Sequence, residues 1–204
     1  MSSLSKFDLC NRALVRIGAN TITDFSSSSV ESEAAAKEYD ARVEERLSGI
    51  MPGFPPPGGH AHPWHFAKKI AALGSPTATA PADKWTYAYN LPSDLLALRA
   101  VRVGDLNTEY DRVGHQLFAH DATGIVLEYT FRQTEANFPA YFTSAWTEDL
   151  ADFFALAVKR DPGLAKSHRE TAIGLWAAAR LADSQGRTPQ VFKAGRLVRA
   201  RLGR

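Results

Sequence analysis

Three histidines lie within six residues in the stretch 60-HAHPWHFAKK-69, which directly follows the proline- and glycine-rich run 52-PGFPPPGG-59. Imidazole is a common zinc ligand, and a catalytic zinc ion often has three protein ligands and one open position. One hypothesis for this stretch is therefore a zinc hydrolase site formed by His60, His62 and His65.

The surrounding sequence argues against a zinc site. No aspartate or glutamate lies within ten residues of the histidines to orient a ligand or to act as a base. If a strand begins at Trp64, His62 and His65 point in different directions. We therefore expect no metal and no cofactor, and interpret the stretch as a loop that leads into a strand. The residues expected to form this loop-to-strand junction, and to anchor the sheet on the helices, are His62, Pro63, Trp64 and Phe66.

Other patterns that carry chemistry are missing from the sequence. It contains no Walker-type phosphate loop and no G-x-S-x-G motif. The acidic pairs Glu44-Glu45 and Glu148-Asp149 are predicted to lie on outward, solvated helix positions. The single cysteine, Cys10, is predicted to be a small core residue rather than a nucleophile. We expect that the protein is not an enzyme.

Composition indicates a globular protein. The chain has 204 residues, of which 45% are hydrophobic and 23% charged, so one sizeable core is expected. One cysteine fits a reducing compartment of synthesis. No apolar run approaches the length of about 18 residues that a membrane span needs, and the start of the chain does not resemble a signal peptide. We expect a soluble, intracellular protein with no membrane partner.

Helical periodicity occurs at both ends of the chain. Ser5 with Asp8 and Ser28 with Glu31 have the spacing of capping boxes, and apolar residues recur after each pair at helical intervals. The same periodicity returns after Asn137 and is broken by Pro162. The sequence therefore predicts four helices, over about residues 5–18, 29–50, 137–160 and 164–186.

The middle of the chain has the alternating pattern of strands. In 84-KWTYAYNL-91, large apolar or aromatic residues occupy every second position, and glycine and aspartate turn signals separate the shorter runs that follow. Strands so closely spaced leave no room for crossover helices, which predicts an antiparallel β-sheet or meander over about 63–133. The expected fold class is α+β, with the N- and C-terminal helices forming a helical bundle.

The last 18 residues form a basic C-terminal arm. The arm carries five arginines, one lysine and no acid; because the whole chain is +2 and the arm +6, residues 1–186 sum to −4. Apolar residues interleave with the charges, so the arm can order on a partner while its arginines pair with carboxylates or phosphates. One alternative function is therefore nucleic-acid binding through the arm.

Several segments together resemble the tail tubular protein A family of short-tailed bacteriophages and related head-to-tail adaptors. The segments are 9-LCNRALVRIGANTITDF-25, 33-EAAAKEYDARVEERL-47, 62-HPWHFAKKIAAL-73, 85-WTYAYNLPSDLLALRAV-101 and the helix opening at Phe138-Pro139. They occur in order and span most of residues 4–186. The resemblance implies a structural virion protein with residues 1–186 as a single adaptor domain.

The resemblance also implies the partners. Members of the family form a dodecameric ring that docks on the portal, joins the DNA-filled head to the tail nozzle or tail tube, and surrounds the channel through which DNA leaves. DNA is expected to slide past without sequence-specific binding, which suits the acidic body. The protein is expected to be made in the host cytoplasm and to reside at the head–tail interface of the virion.

Two further segments receive roles from this resemblance. The C-terminal arm, 187–204, is expected to bind the portal. The Pro/Gly-rich stretch 48–61 interrupts the family pattern as an inserted loop that is expected to contact a neighbour or a tail protein. The candidate residues are Phe192, Lys193, Arg196, Leu197, Val198, Arg199 and Arg201 in the arm, and Phe54, Pro55, Pro56 and Pro57 in the inserted loop.

Overall fold

The computed structural model describes residues 4–53, 61–77 and 84–186. Within these ranges the chain forms four α-helices and seven β-strands, so the predicted α+β class is confirmed. The helices are α1 (Lys6–Arg16), α2 (Val30–Leu47), α3 (Ala140–Ala157) and α4 (Pro162–Gln185). The strands are β1 (Lys68–Ala72), β2 (Tyr87–Asn90), β3 (Leu95–Val103), β4 (Leu106–Asn107), β5 (Tyr110–Val113), β6 (Gln116–Ala119) and β7 (Ile125–Phe131).

Side chains at the helix starts explain where the helices begin. Ser5 and Asp8 form the predicted capping box of α1, in which each side chain accepts a hydrogen bond from the other residue's backbone N–H. The capping box predicted at Ser28 and Glu31 lies one residue too early. Ser29 caps α2, so the helix begins at Val30. Asp161 caps α4 by accepting from the N–H groups of Gly163 and Leu164.

All four helices contribute to one hydrophobic core. Large aromatic residues dominate it, and three tryptophans among the described residues are fully buried there. Its large buried side chains include Leu9 and Leu14 from α1, Tyr39 from α2, Phe142, Trp146 and Phe154 from α3, Trp176 from α4, and Trp64 from the loop before β1. In this core α1 and α2 pack together with α3 and α4.

The strands form two antiparallel sheets, one in the order β1-β7-β3-β4 and one in the order β2-β6-β5. The predicted antiparallel pairing is confirmed, but a simple meander is wrong because β7 lies between β1 and β3. A second core forms where both sheets bury apolar side chains together, including Tyr89, Leu117, Leu127 and Tyr129.

Trp64 begins no strand, contrary to the sequence-based expectation. A 3₁₀ helix, His65–Ala67, follows it, and β1 starts only at Lys68. The Trp64 indole is fully buried in the helical core, with its ring centroid 5.2 Å from that of Phe142 and 5.8 Å from that of Trp176. Its Nε1–H donates to the Arg46 carbonyl oxygen at 2.8 Å.

Replacing the Trp64 side chain tests how much of the fold depends on it. Trp64→Ala should lower the free energy of unfolding by about 3–5 kcal/mol, because it removes a large buried aromatic side chain and leaves a cavity. Urea unfolding followed by circular dichroism measures this change. Ile70→Ala, at a largely exposed apolar residue on β1, is the control and should change it by less than about 0.5 kcal/mol.

Candidate functional site

A buried carboxylate, Asp183 near the end of α4, collects the polar groups of the histidine-rich loop. Its Oδ2 accepts hydrogen bonds from His62 Nε2 at 3.2 Å and from His65 Nδ1 at 2.9 Å. The His65 backbone N–H donates to both carboxylate oxygens, and Tyr141 Oη donates to Oδ1 at 2.8 Å. The Asp183 side chain is fully buried, so this cluster fixes the loop against the last helix.

These contacts set the ionisation of Asp183. Burial alone would raise the pKa of the carboxyl group, but hydrogen bonds from His62, His65 and Tyr141 outweigh burial and lower the pKa to about 2. Burial and the same carboxylate raise the pKa of Tyr141. Asp183 is therefore ionised at neutral pH, and Tyr141 stays a hydrogen-bond donor.

The histidines do not diverge as the sequence suggested. His62 and His65 both point at Asp183, because the 3₁₀ helix turns the chain at the place where a strand was expected. The carboxylate that the local sequence lacks is that of Asp183, which lies more than a hundred residues further along the chain. Among residues 4–53, 61–77 and 84–186, no group of three or more His, Cys, Asp or Glu side chains is placed to hold a metal ion.

The other predicted junction residues lie around this cluster. Pro63 is exposed, and Phe66 is half-buried with its ring centroid 5.0 Å from that of Phe142. Arg99 of β3 donates from Nη2 to the Trp64 carbonyl oxygen at 2.6 Å. The junction thus contacts the helical core through rings and the first sheet through one arginine.

A second polar cluster lies inside the helices. Arg46 of α2 donates from Nε to Asp149 Oδ2 of α3 at 2.5 Å, and Trp176 Nε1 of α4 donates to the same oxygen at 3.1 Å. The Arg46 and Asp149 side chains are only 7% and 1% exposed. Burial opposes the charge on Arg46, but the hydrogen bond that Arg46 donates to Asp149 outweighs burial and raises the arginine pKa.

The prediction that Glu148-Asp149 faces solvent is wrong. Asp149 is buried in the cluster just described, and Glu148 is largely buried, where it accepts from Arg16 of α1 and from His168 Nδ1 of α4. Trp146, Asp149, Leu150 and Phe153 share one helical face, so the spacing of Asp149 on the apolar stripe was a usable signal. Its partners could not be identified from spacing.

In both clusters the buried carboxylate oxygens accept hydrogen bonds from other groups of the same chain. The Asp183 oxygens accept four hydrogen-bonding groups, and the Asp149 oxygens accept from Arg46 and Trp176. Cys10 is fully buried, and burial raises the pKa of its thiol to about 12, so it carries a neutral thiol at physiological pH. These polar groups join helices and loops to one another.

Some predicted contact residues lie outside the described residues. They are His60, the inserted-loop residues Phe54, Pro55, Pro56 and Pro57, and all residues of the C-terminal arm from Phe192 to Arg201. Within the part of the chain that is described, no helix has the length and apolar character to cross a membrane. No protein-family model and no curated protein matches the sequence.

Breaking the buried ion pair should be costly. Arg46→Met is expected to lower the free energy of unfolding by about 3–5 kcal/mol, because it leaves the Asp149 charge buried without its cation. Chemical denaturation of the variants measures this loss. Lys37→Met removes an exposed ion pair on the same helix, Lys37–Glu33, and should cost less than about 0.5 kcal/mol. Equal costs for the two variants would show that Asp149 does not need Arg46.

Acid should weaken the Asp183 cluster in a defined pH window. A folded-state pKa of about 2, below the ordinary value of 3.8, gives stability that is present above pH 3.8 and is lost as pH falls to 2. Asp183→Asn removes this dependence, so the wild-type advantage should shrink by about 2 kcal/mol between pH 5 and pH 2.

Denaturant unfolding of both proteins at each pH tests this expectation. Ser184→Ala changes the neighbouring exposed residue of α4 without adding or removing an ionisable group, and serves as the control. A wild-type advantage over Asp183→Asn that stays constant from pH 5 to pH 2 would contradict the role of the Asp183 cluster.

Proposed function

We propose that the chain is a structural subunit of the head-to-tail adaptor of a tailed bacteriophage, and that it acts as a ring that docks on the portal. The observation that carries the proposal is that segments resembling the adaptor family contact one another. Trp64, in 62–73, donates to the carbonyl of Arg46, in 33–47, and accepts from Arg99, in 85–101. The residues behind the resemblance therefore form one connected scaffold.

The remaining resembling segments have a comparable role. Within 9–25, Leu9, Cys10, Ala13 and Leu14 are buried in the helical core. In the same segment the Asn11 amide bonds both the N–H and the carbonyl oxygen of Ile22, at 2.8 and 2.9 Å, which fixes the loop after α1. A helical bundle attached to an antiparallel β part is what the resemblance implies, and four helices that share one core are compatible with it.

The charge distribution supports the same proposal. Residues 1–186 carry a net charge of −4, because the chain is +2 and its last 18 residues are +6. An acidic body repels the phosphate backbone, which suits the wall of a channel through which DNA must slide. The basic arm, which we propose binds the portal, is repeated once per subunit, so weak contacts add up around the ring.

Imaging the protein on its portal tests the proposal. We expect purified full-length protein, mixed with the portal ring of its own phage, to form a ring seated on the portal in cryo-electron micrographs. Deletion of residues 187–204 should abolish seating. A full-length variant with Arg196, Arg199 and Arg201 changed to glutamine is the matched control, because it keeps the arm and its apolar residues and loses only charge.

A different result would favour the nucleic-acid alternative. Full-length protein that ignores the portal, but binds duplex DNA with an affinity that falls steeply with salt and is lost with the arm, would replace the adaptor proposal. Protein that neither seats on the portal nor binds DNA would refute both functions.

A further inference from the structure

A cleft of about 370 Å³ lies beside the buried ion pair of α2 and α3, and three arginines line it. Two of these arginines already have carboxylate partners in the cleft: Arg46 pairs with Asp149, and Arg169 Nε lies 3.0 Å from Asp152 Oδ2. Their charges are balanced locally. The third arginine, Arg42, determines what the cleft can accept.

Arg42 packs against apolar side chains of α3 and has an N–H group without a hydrogen-bond partner among the described residues. Its guanidinium carbon is 4.3 Å from the centroid of the Phe153 ring, and Leu156, one helical turn further along α3, is 52% exposed. The Arg42 Nε–H is buried and has no hydrogen-bond partner among the described residues. Glu38, one turn earlier on α2, forms an ion pair with Arg42, but its carboxylate lies 3.7 Å from Nε, which is too long for a hydrogen bond. The cleft therefore suits an apolar group that carries one carboxylate.

The β3–β4 turn has the complementary chemistry. Val103 pairs with Leu106, so the turn consists of Gly104 and Asp105, and Gly104 has the positive φ of 61° that a tight hairpin turn needs. Leu106 is 75% exposed, the highest value of any large apolar residue in the described ranges. Asp105 forms no ion pair with another described residue. The turn therefore presents an apolar side chain next to a free carboxylate.

We propose that the turn residues Asp105 and Leu106 of one copy dock in the Arg42 cleft of the next copy. Leu106 packs on Phe153 and Leu156, and the Asp105 carboxylate accepts from Arg42. This inference rests on the proposed function, because it supplies the contact between ring subunits. Turn and cleft are different surfaces of one chain, so the contact is heterologous and repeats around an axis.

The charges of the cleft favour this occupant over nucleic acid. Arg46 and Arg169 are neutralised by Asp149 and Asp152, whereas Arg42 faces only the half-exposed Glu38 carboxylate beyond hydrogen-bond distance, so Arg42 can pair with one further carboxylate. A run of phosphates would meet those two aspartates and gain little from Arg42. A segment with one acidic residue beside a leucine can pair its carboxylate with Arg42 and at the same time cover the apolar side chains of Phe153 and Leu156.

Disulfide trapping tests the contact directly. Leu106→Cys protein is mixed with Leu156→Cys protein in the presence of the portal ring and oxidised, and the products are separated without reductant. We expect disulfide-linked heterodimers to form at least about tenfold faster than from a mixture of Val30→Cys and Leu156→Cys, because docking raises the effective concentration of the two thiols. Val30 is also exposed, and native Cys10 is buried.

Charge exchange provides a second readout. Arg42→Glu and Asp105→Arg should each weaken ring formation on the portal by about tenfold or more, since like charges then face each other across the contact. A chain with both changes should recover rings. Melting temperatures of the free variants identify any loss of folding, and trapping through Leu106→Cys and Leu156→Cys leaves Arg42 intact.

The outcomes separate this inference from the proposed function. Wild-type rings on the portal without Leu106–Leu156 trapping would refute the contact and leave the adaptor function in place. Trapping between identical Leu106→Cys chains alone would indicate a two-fold contact and also refute it. Wild-type protein that does not seat on the portal would refute the adaptor function, whereas selective trapping in the same mixture would still support the contact.

Discussion

The buried ion pair between Arg46 and Asp149 is the interaction on which the helical part depends. Removing two charges from water costs several kcal/mol per ion, and a close pair offsets this only when further hydrogen bonds complete it. Here Arg46 also donates to the Ile50 carbonyl, and Asp149 also accepts from Trp176. The Arg46 carbonyl in turn accepts from Trp64. One pair thus connects α2, α3, α4 and the junction with the sheets.

Both buried carboxylates contact residues that lie far earlier in the sequence. Asp149 and Asp183 lie on the last two helices, and they hold Arg46, His62 and His65 from the first third of the sequence. The strands lie between these partners along the chain. Each pairing therefore closes a loop of more than a hundred residues, and the sheets are held as an insertion between helices. Loss of either carboxylate would loosen the attachment of the sheets as well as the helix packing.

Local sequence signals predicted the helices better than they predicted the contacts between distant parts of the chain. Capping residues and apolar periodicity located all four helices to within a few residues, because these signals act over one or two turns. The position of β7 between β1 and β3, and the approach of Asp183 to the histidines, depend on residues far apart in the chain. Asp149 is the intermediate case: it was wrongly predicted to face solvent, although its place on an apolar stripe indicated burial, and only the fold identified Arg46 and Trp176 as its partners.

Buried charged groups and exposed apolar side chains both occur in this fold. Buried charges hold the helices together, whereas large apolar side chains such as Leu106, Tyr110 and Val113 are exposed along β4 and β5. Edge strands with exposed apolar residues invite pairing and are usually protected by charge or cover. A subunit that folds before it meets its partners can be stabilised by its buried contacts, while its exposed apolar residues stay available for binding. In the ring that we propose, the exposed residues of β4 and β5 would be available for contacts between copies, while both strands also pair within the sheets.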